Sequence, residues 1–105
     1  MPTVLLRIYT EEGRMSGHRP LYEDVVLKAR EAGLAGATVL RGPMGYGHHA
    51  RIHTAKILEL SAKLPLVIEI VDTEDKVRAF IEQLRPIKDL GLVTLERVEV
   101  VHLPG

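Results

Sequence analysis

The 105-residue chain contains no cysteine and no tryptophan. Without thiols it has no disulfide framework, no thiolate nucleophile and no cysteine-based zinc site. Aromatic residues make up 4% of the chain, leaving few platforms for stacking unpaired bases. Neither sign of charge dominates, since 14 Lys and Arg stand against 14 Asp and Glu. That balance removes the bulk attraction that draws basic proteins to nucleic acid or anionic lipid. The sequence therefore predicts no nucleic-acid partner. No apolar run approaches the length of a membrane span. The opening MPTVLLRIYTEEG lacks the basic segment, apolar run and small-residue cleavage pattern of a signal peptide, and a cytoplasmic protein is expected. Asparagine is absent and glutamine occurs once beside 27% charged residues, a bias shared with heat-stable proteins.

Groups for covalent chemistry are also scarce. Ser16 and Ser61 are the two serines, and neither sits in a nucleophile-elbow pattern. The carboxylates fall mostly where helix surfaces and outward strand positions are expected. His18 and His102 are isolated in sequence, and His102 reads as a structural histidine on a terminal strand. With no triad and no acid–base pair, the sequence predicts a protein that is not an enzyme and needs no cofactor.

What is present suffices for one domain spanning residues 1–105, with 46% hydrophobic residues to build a core. Residues 3–9 (TVLLRIY) read as a buried strand. Residues 20–32 read as a helix, with Pro20 at its start, Glu23 and Asp24 in its first turn and Gly33 as its C-terminal cap. Residues 37–41 read as a second strand. Leu58, Leu60, Ala62, Leu64, Leu66, Ile68 and Ile70 occupy every second position. That period of two predicts a long strand, with Pro65 at an edge or bulge. Asp72 or Thr73 is expected to cap a second helix, whose Val77, Phe80, Ile81 and Leu84 share one face before Pro86 stops it. The last apolar stretch slips phase near Glu96 and Arg97, which predicts a bulge or two short strands. The order β-α-β-β-α-β predicts an α+β, ferredoxin-like sandwich: a four-stranded, mainly antiparallel sheet with both helices on one face. The other face is left bare, and closure into a ring of copies is the simplest way to cover it.

Residues 41–53 read RGPMGYGHHARIH. His48, His49 and His53 are potential metal ligands, but no carboxylate or thiolate stands near them and no metal site is assigned. Gly42, Gly45 and Gly47 allow backbone N–H groups to converge on an anion, with Arg41, His48 and Arg51 to assist. No Walker sequence is present, so a plain flexible hairpin tip fits equally well.

GLAGATVLRGPMGYG (33–47) followed by LPLVIEIVDTEDKVRAFIEQL (64–84) resembles the PII signal-transduction superfamily. The stretches PLYE (20–23), AGATV (35–39), RGPMGYG (41–47), RIHT (51–54) and LVTLE (92–96) are most similar to the PII-like branch known as domain of unknown function one hundred and ninety. The resemblance implies a PII-like homotrimer that binds an adenine nucleotide, or another small anion, in clefts between subunits. Thr38 and Val71 would border the base; Gly45, Tyr46 and Gly47 would form the loop base against the nucleotide. Gly91 would face the phosphates from the next subunit. The superfamily's glycine–lysine–glycine segment and final-strand arginines have no counterpart here, which leaves Lys88, Arg51 and His48 as the substitutes. The resemblance also implies a ligand-responsive loop offered to a partner. The same branch implies one rival, a ligand-free trimer docking on a membrane channel or transporter, and other proteins of the fold imply a second, a metal-binding trimer.

Overall fold

The computed structural model describes residues 2–47, 52–54 and 63–102. Among these residues, eight strands and two helices follow in the order β1 (Thr3–Glu11), β2 (Met15–Ser16), β3 (Arg19–Pro20), α1 (Leu21–Glu31), β4 (Thr38–Arg41), β5 (Met44–Gly45), β6 (His53–Thr54), β7 (Pro65–Thr73), α2 (Glu74–Leu84) and β8 (Leu92–Val98). Four of them form an antiparallel sheet in the order β4-β7-β1-β8. The short pairs β2–β3 and β5–β6 stand apart from it.

Alternation decides which face each strand buries. Val4, Leu6 and Ile8 of β1 and Leu66, Ile68 and Ile70 of β7 are buried together. Leu21, Val25 and Ala29 of α1, four residues apart, meet them, as do Val77, Phe80 and Leu84 of α2. Burying a side chain such as Phe80 or Leu84 stabilises the fold by roughly 1.5–3 kcal/mol. Thr38, Leu40, Leu5, Arg7, Tyr9, Val67, Glu69 and Val71 have the opposite phase and lie on the face the helices leave open.

Helix α1 begins one residue after Pro20 and ends in a Schellman arrangement. The Gly33 and Leu34 amides donate to the Arg30 and Ala29 carbonyls at 3.1 and 3.2 Å, with Gly33 at φ 77°. Asp72 and Thr73 do not cap α2 with their side chains. The amide of Glu74 instead donates to the Pro2 carbonyl at 3.0 Å. Pro65 is at neither an edge nor a bulge. It opens an interior strand, where its lack of an N–H is tolerated and its carbonyl accepts the Gly42 amide at 2.8 Å. The expected strand between Leu58 and Ala62 lies outside the described residues. β8 shows no bulge: its pairing with β1 runs unbroken from Leu92–Tyr9 to Val98–Thr3. Glu96 and Arg97 lie inside the ladder, opposite Leu5 and Val4, and residues 99–102 leave it after Val98.

Candidate ligand site

The open face of the sheet carries a charged centre within an apolar surround. Arg7 donates from Nε to Glu69 Oε2 and from a terminal nitrogen to Glu96 Oε1, both at 2.9 Å. The hydrogen bond to Glu69 holds the guanidinium charge still more firmly than usual, against a smaller opposing effect of burial. One cation shared by two carboxylates leaves a negative charge over on this face.

Two cavities open along the β4–β7 margin of the same face. The first, about 410 Å³, is lined by Ala35, Gly36, Ala37, Thr38, Glu69, Val71, Val100 and His102. Its lip is set by Asp72, which is only 3% exposed. The carboxylate accepts from the Ala35 amide at 2.9 Å and the Thr73 amide at 2.7 Å, tying the α1–β4 connection to the end of β7. Residues 99–102 bring Val100 and His102 to the same cavity.

The second cavity, about 300 Å³, lies where the glycine loop leaves β4. Tyr9, Thr10, Glu11, Pro65 and Val67 form one wall; Gly42, Met44, Gly45, Tyr46 and Gly47 form the other. Gly42 and Gly45 are not at positive φ. Their value is the missing side chain, since a β-carbon on either would come within 3.2 Å of Pro65 Cγ. Glu12 clamps the two ends of the loop. Its Oε1 accepts from the Leu64 amide at 3.0 Å, its Oε2 pairs with Arg41 at 2.9 Å, and its own amide donates to the Leu64 carbonyl at 2.9 Å. Thr10 Oγ1 is buried here without a hydrogen-bond partner among the described residues. Tyr46 and Met44 stand 73% and 60% exposed beside the cavity. Val67 of this cavity and Glu69 of the other are next-but-one on β7, about 7 Å apart along the strand.

The sequence-derived residues thus fall into separate groups. Thr38 and Val71 share the first cavity, and Gly45, Tyr46 and Gly47 share the second. Lys88 lines a different cleft of about 590 Å³, with Ser16, Asp24, Lys28 and Gln83. Gly91, at φ 104°, packs where a β-carbon would collide with the Tyr9 carbonyl oxygen. His48 and Arg51 lie outside the described residues, as do His49 and the side chain of His53. Among the described residues no cluster of three or more His, Asp or Glu is placed to hold a metal ion. Sequence reasoning did not place Glu69 at this cavity, and it read His102 as a structural histidine on a terminal strand, whereas His102 follows the end of β8 and lines the cavity. Glu69 looked like another outward strand carboxylate, and His102 reaches the cavity through a chain path with no periodicity to announce it.

A fold of this topology is known in other proteins. The family model described as uncharacterized ACR, COG1993 (DUF190) matches residues 3–100. The chain belongs to the DUF190 family. This DUF190 chain is 43% identical over 99 residues to a UPF0166 protein of Aquifex aeolicus (strain VF5), covering 94% of the chain and 93% of that protein. Its fold is similar to that of CPII, a nitrogen regulatory PII-like protein from Thiomonas intermedia K12, whose structure holds ADP, AMP and bicarbonate. The TM-score is 0.71 at 18% identity, over 97% of this chain and 91% of that one. The divalent ion tolerance protein CutA1 from Ehrlichia chaffeensis matches with a TM-score of 0.58 at 14% identity, over 95% of this chain and 82% of that one. The fold is ferredoxin-like and PII-like. Among the described residues no helix is long and apolar enough to cross a membrane.

Proposed function

We propose that this DUF190 chain is a non-catalytic, cytoplasmic PII-like regulator that binds an adenine nucleotide at clefts between the subunits of a homotrimer. The observation that carries the reading is the pair of neighbouring cavities on the open face, one bordered by Thr38 and Val71 and the other by the Gly45–Tyr46–Gly47 turn. Both open toward the face that a second copy would cover. The apolar walls suit a base, and the small residues let backbone approach it closely. The fold shared with an ADP- and AMP-bound PII-like protein supports this choice of ligand class.

Lys88 and Gly91 are separate from these cavities within one chain and belong, in this reading, to the site completed by the neighbouring copy. His48 and Arg51 are, in this reading, substitutes for the missing phosphate-binding residues. Ligand binding favours one arrangement of the loop that carries them and so shifts its population. Met44, Tyr46 and Ile52, all exposed, are the apolar surface that responds and that a protein partner would read. Sedimentation equilibrium with a thermal-shift panel of AMP, ADP, ATP and cyclic AMP tests the reading. A species of three chains that gains stability with an adenine nucleotide, and loses that gain in Val71→Glu, is expected. A monomer, or a flat panel at millimolar nucleotide, would overturn it.

A further inference from the structure

Building on that nucleotide reading, we infer that Arg14 is a positioning residue for the site. It fastens the turn that carries Lys88 and Gly91, and so fixes how that turn meets the ligand of the neighbouring copy. The turn joins α2 to β8. Asp89 is, among the described residues, the one residue other than glycine at a left-handed φ, 54°. Gly91 follows at φ 104°, with the Tyr9 carbonyl against it. Among the described residues, no backbone–backbone hydrogen bond holds residues 88–90 between the Ile87–Leu84 bond at 3.0 Å and the β8 ladder. A turn of this kind persists only where its surroundings determine it, and such turns gather at ligand sites.

Arg14 supplies that support. One terminal nitrogen donates to the Asp89 carbonyl at 3.1 Å and lies 3.8 Å from the Asp89 carboxylate. The other lies 3.8 Å from Glu11 Oε1. The guanidinium thus ties the turn to the end of β1, and a planar fork can serve these acceptors together where a lysine cannot. The backbone of Arg14 is itself fixed on both sides. Its amide donates to the Glu11 carbonyl at 3.2 Å, and its carbonyl accepts the Leu21 amide at 2.8 Å. Lys88 stands one residue before the anchored carbonyl and Gly91 two after it, so both move with it. In the nucleotide reading these two face the phosphates, while Thr38 and Val71 border the base. Loosening the turn therefore weakens the hold on phosphate and leaves the hold on the base. One ammonium–phosphate contact is a charge-assisted bond, and its loss amounts to about tenfold in affinity.

The test is isothermal titration of the full chain with adenosine and with ADP. Arg14→Ala, Arg14→Lys, Lys88→Ala and the double variant Arg14→Ala/Lys88→Ala are titrated alongside, with melting curves as a check on folding. Arg14→Ala is expected to weaken ADP about tenfold and adenosine by less than twofold. Arg14→Lys should recover part of the loss, and it keeps the test open if Arg14→Ala does not fold. In the Lys88→Ala background the effect of Arg14→Ala should largely vanish, because residues that act through one another are not additive. Unchanged ADP affinity in both Arg14 variants, equal losses for adenosine and ADP, or losses that simply add in the double variant overturn the inference and leave the nucleotide reading standing. Binding of neither compound by the wild-type chain overturns the nucleotide reading, and this role with it.

Discussion

Replacing Asp72 by alanine is the sharpest test of how the first cavity is held. Asp72 is buried, and its two oxygens each accept a backbone amide, Ala35 at 2.9 Å and Thr73 at 2.7 Å. Hydrogen bonds to a charged acceptor contribute about 1.5–3 kcal/mol each, and an amide left unpaired by their loss costs a similar amount. Asp72→Ala should therefore destabilise the chain by roughly 3–5 kcal/mol. For a chain of this size that lowers the melting temperature by well over 10 °C, at about 4–8 °C per kcal/mol. Asp72→Asn keeps one acceptor oxygen and should lose about half as much. Urea unfolding with an unchanged m-value is the assay. A loss below ~1 kcal/mol in Asp72→Ala would refute the reasoning, because it would mean that neither amide depends on the carboxylate.

Gly91→Ala should destabilise the fold by more than about 2 kcal/mol, since the residue must hold a left-handed φ with the Tyr9 carbonyl against it; a thermal melt within a degree of wild type would contradict this. Phe80→Ala should cost about 3–5 kcal/mol by urea titration, from the transfer and cavity contributions of a fully enclosed ring. Stability should fall in acid. Burial opposes the Asp24 charge, but hydrogen bonds from Lys28 at 2.9 Å and Ser16 at 2.8 Å outweigh it and hold the carboxyl below its ordinary range. Glu74 is held low chiefly by its hydrogen bond from Arg78 and in part by Arg97. Both folded-state groups take up protons at lower pH than in the unfolded chain, so their stabilisation is present above the ordinary carboxylate range of about 4 and is lost as pH drops through the folded values. Asp24→Asn should flatten that acid limb, and a limb unchanged from wild type would contradict the assignment.

The layered fold could be read in the sequence because its signals are local. Leu21, Val25 and Ala29, and Val77, Phe80 and Leu84, recur at helical spacing, and Leu66, Ile68 and Ile70 alternate. The errors arose where a distant residue met a local need. The side chains of Asp72 and Thr73, one of which was expected to cap α2, do not do so, and Pro2, far from α2 in sequence, takes the Glu74 amide. Pro65 looked like an edge residue because sequence cannot reveal that Gly42 would pair with its carbonyl. The glycines of RGPMGYG suggested unusual dihedrals; Gly42 and Gly45 instead make room for the Pro65 ring, while among the described residues the left-handed positions are Gly17, Gly33, Asp89 and Gly91. The sequence-derived candidate residues divide between two cavities. Thr38 with Val71, and Gly45 with Tyr46 and Gly47, each gather at one cavity. Glu69 and His102 were hidden, because only the register of β7 and the path after Val98 bring them together.

The most direct measurement is a calorimetric titration of the full chain with AMP, with the assembly weighed by light scattering in the same buffer. One AMP per chain in a species of three chains, with binding abolished by Val71→Glu, is the outcome expected. No heat at millimolar AMP, or binding that Val71→Glu leaves intact, would contradict an intersubunit nucleotide site on the open face of this sheet.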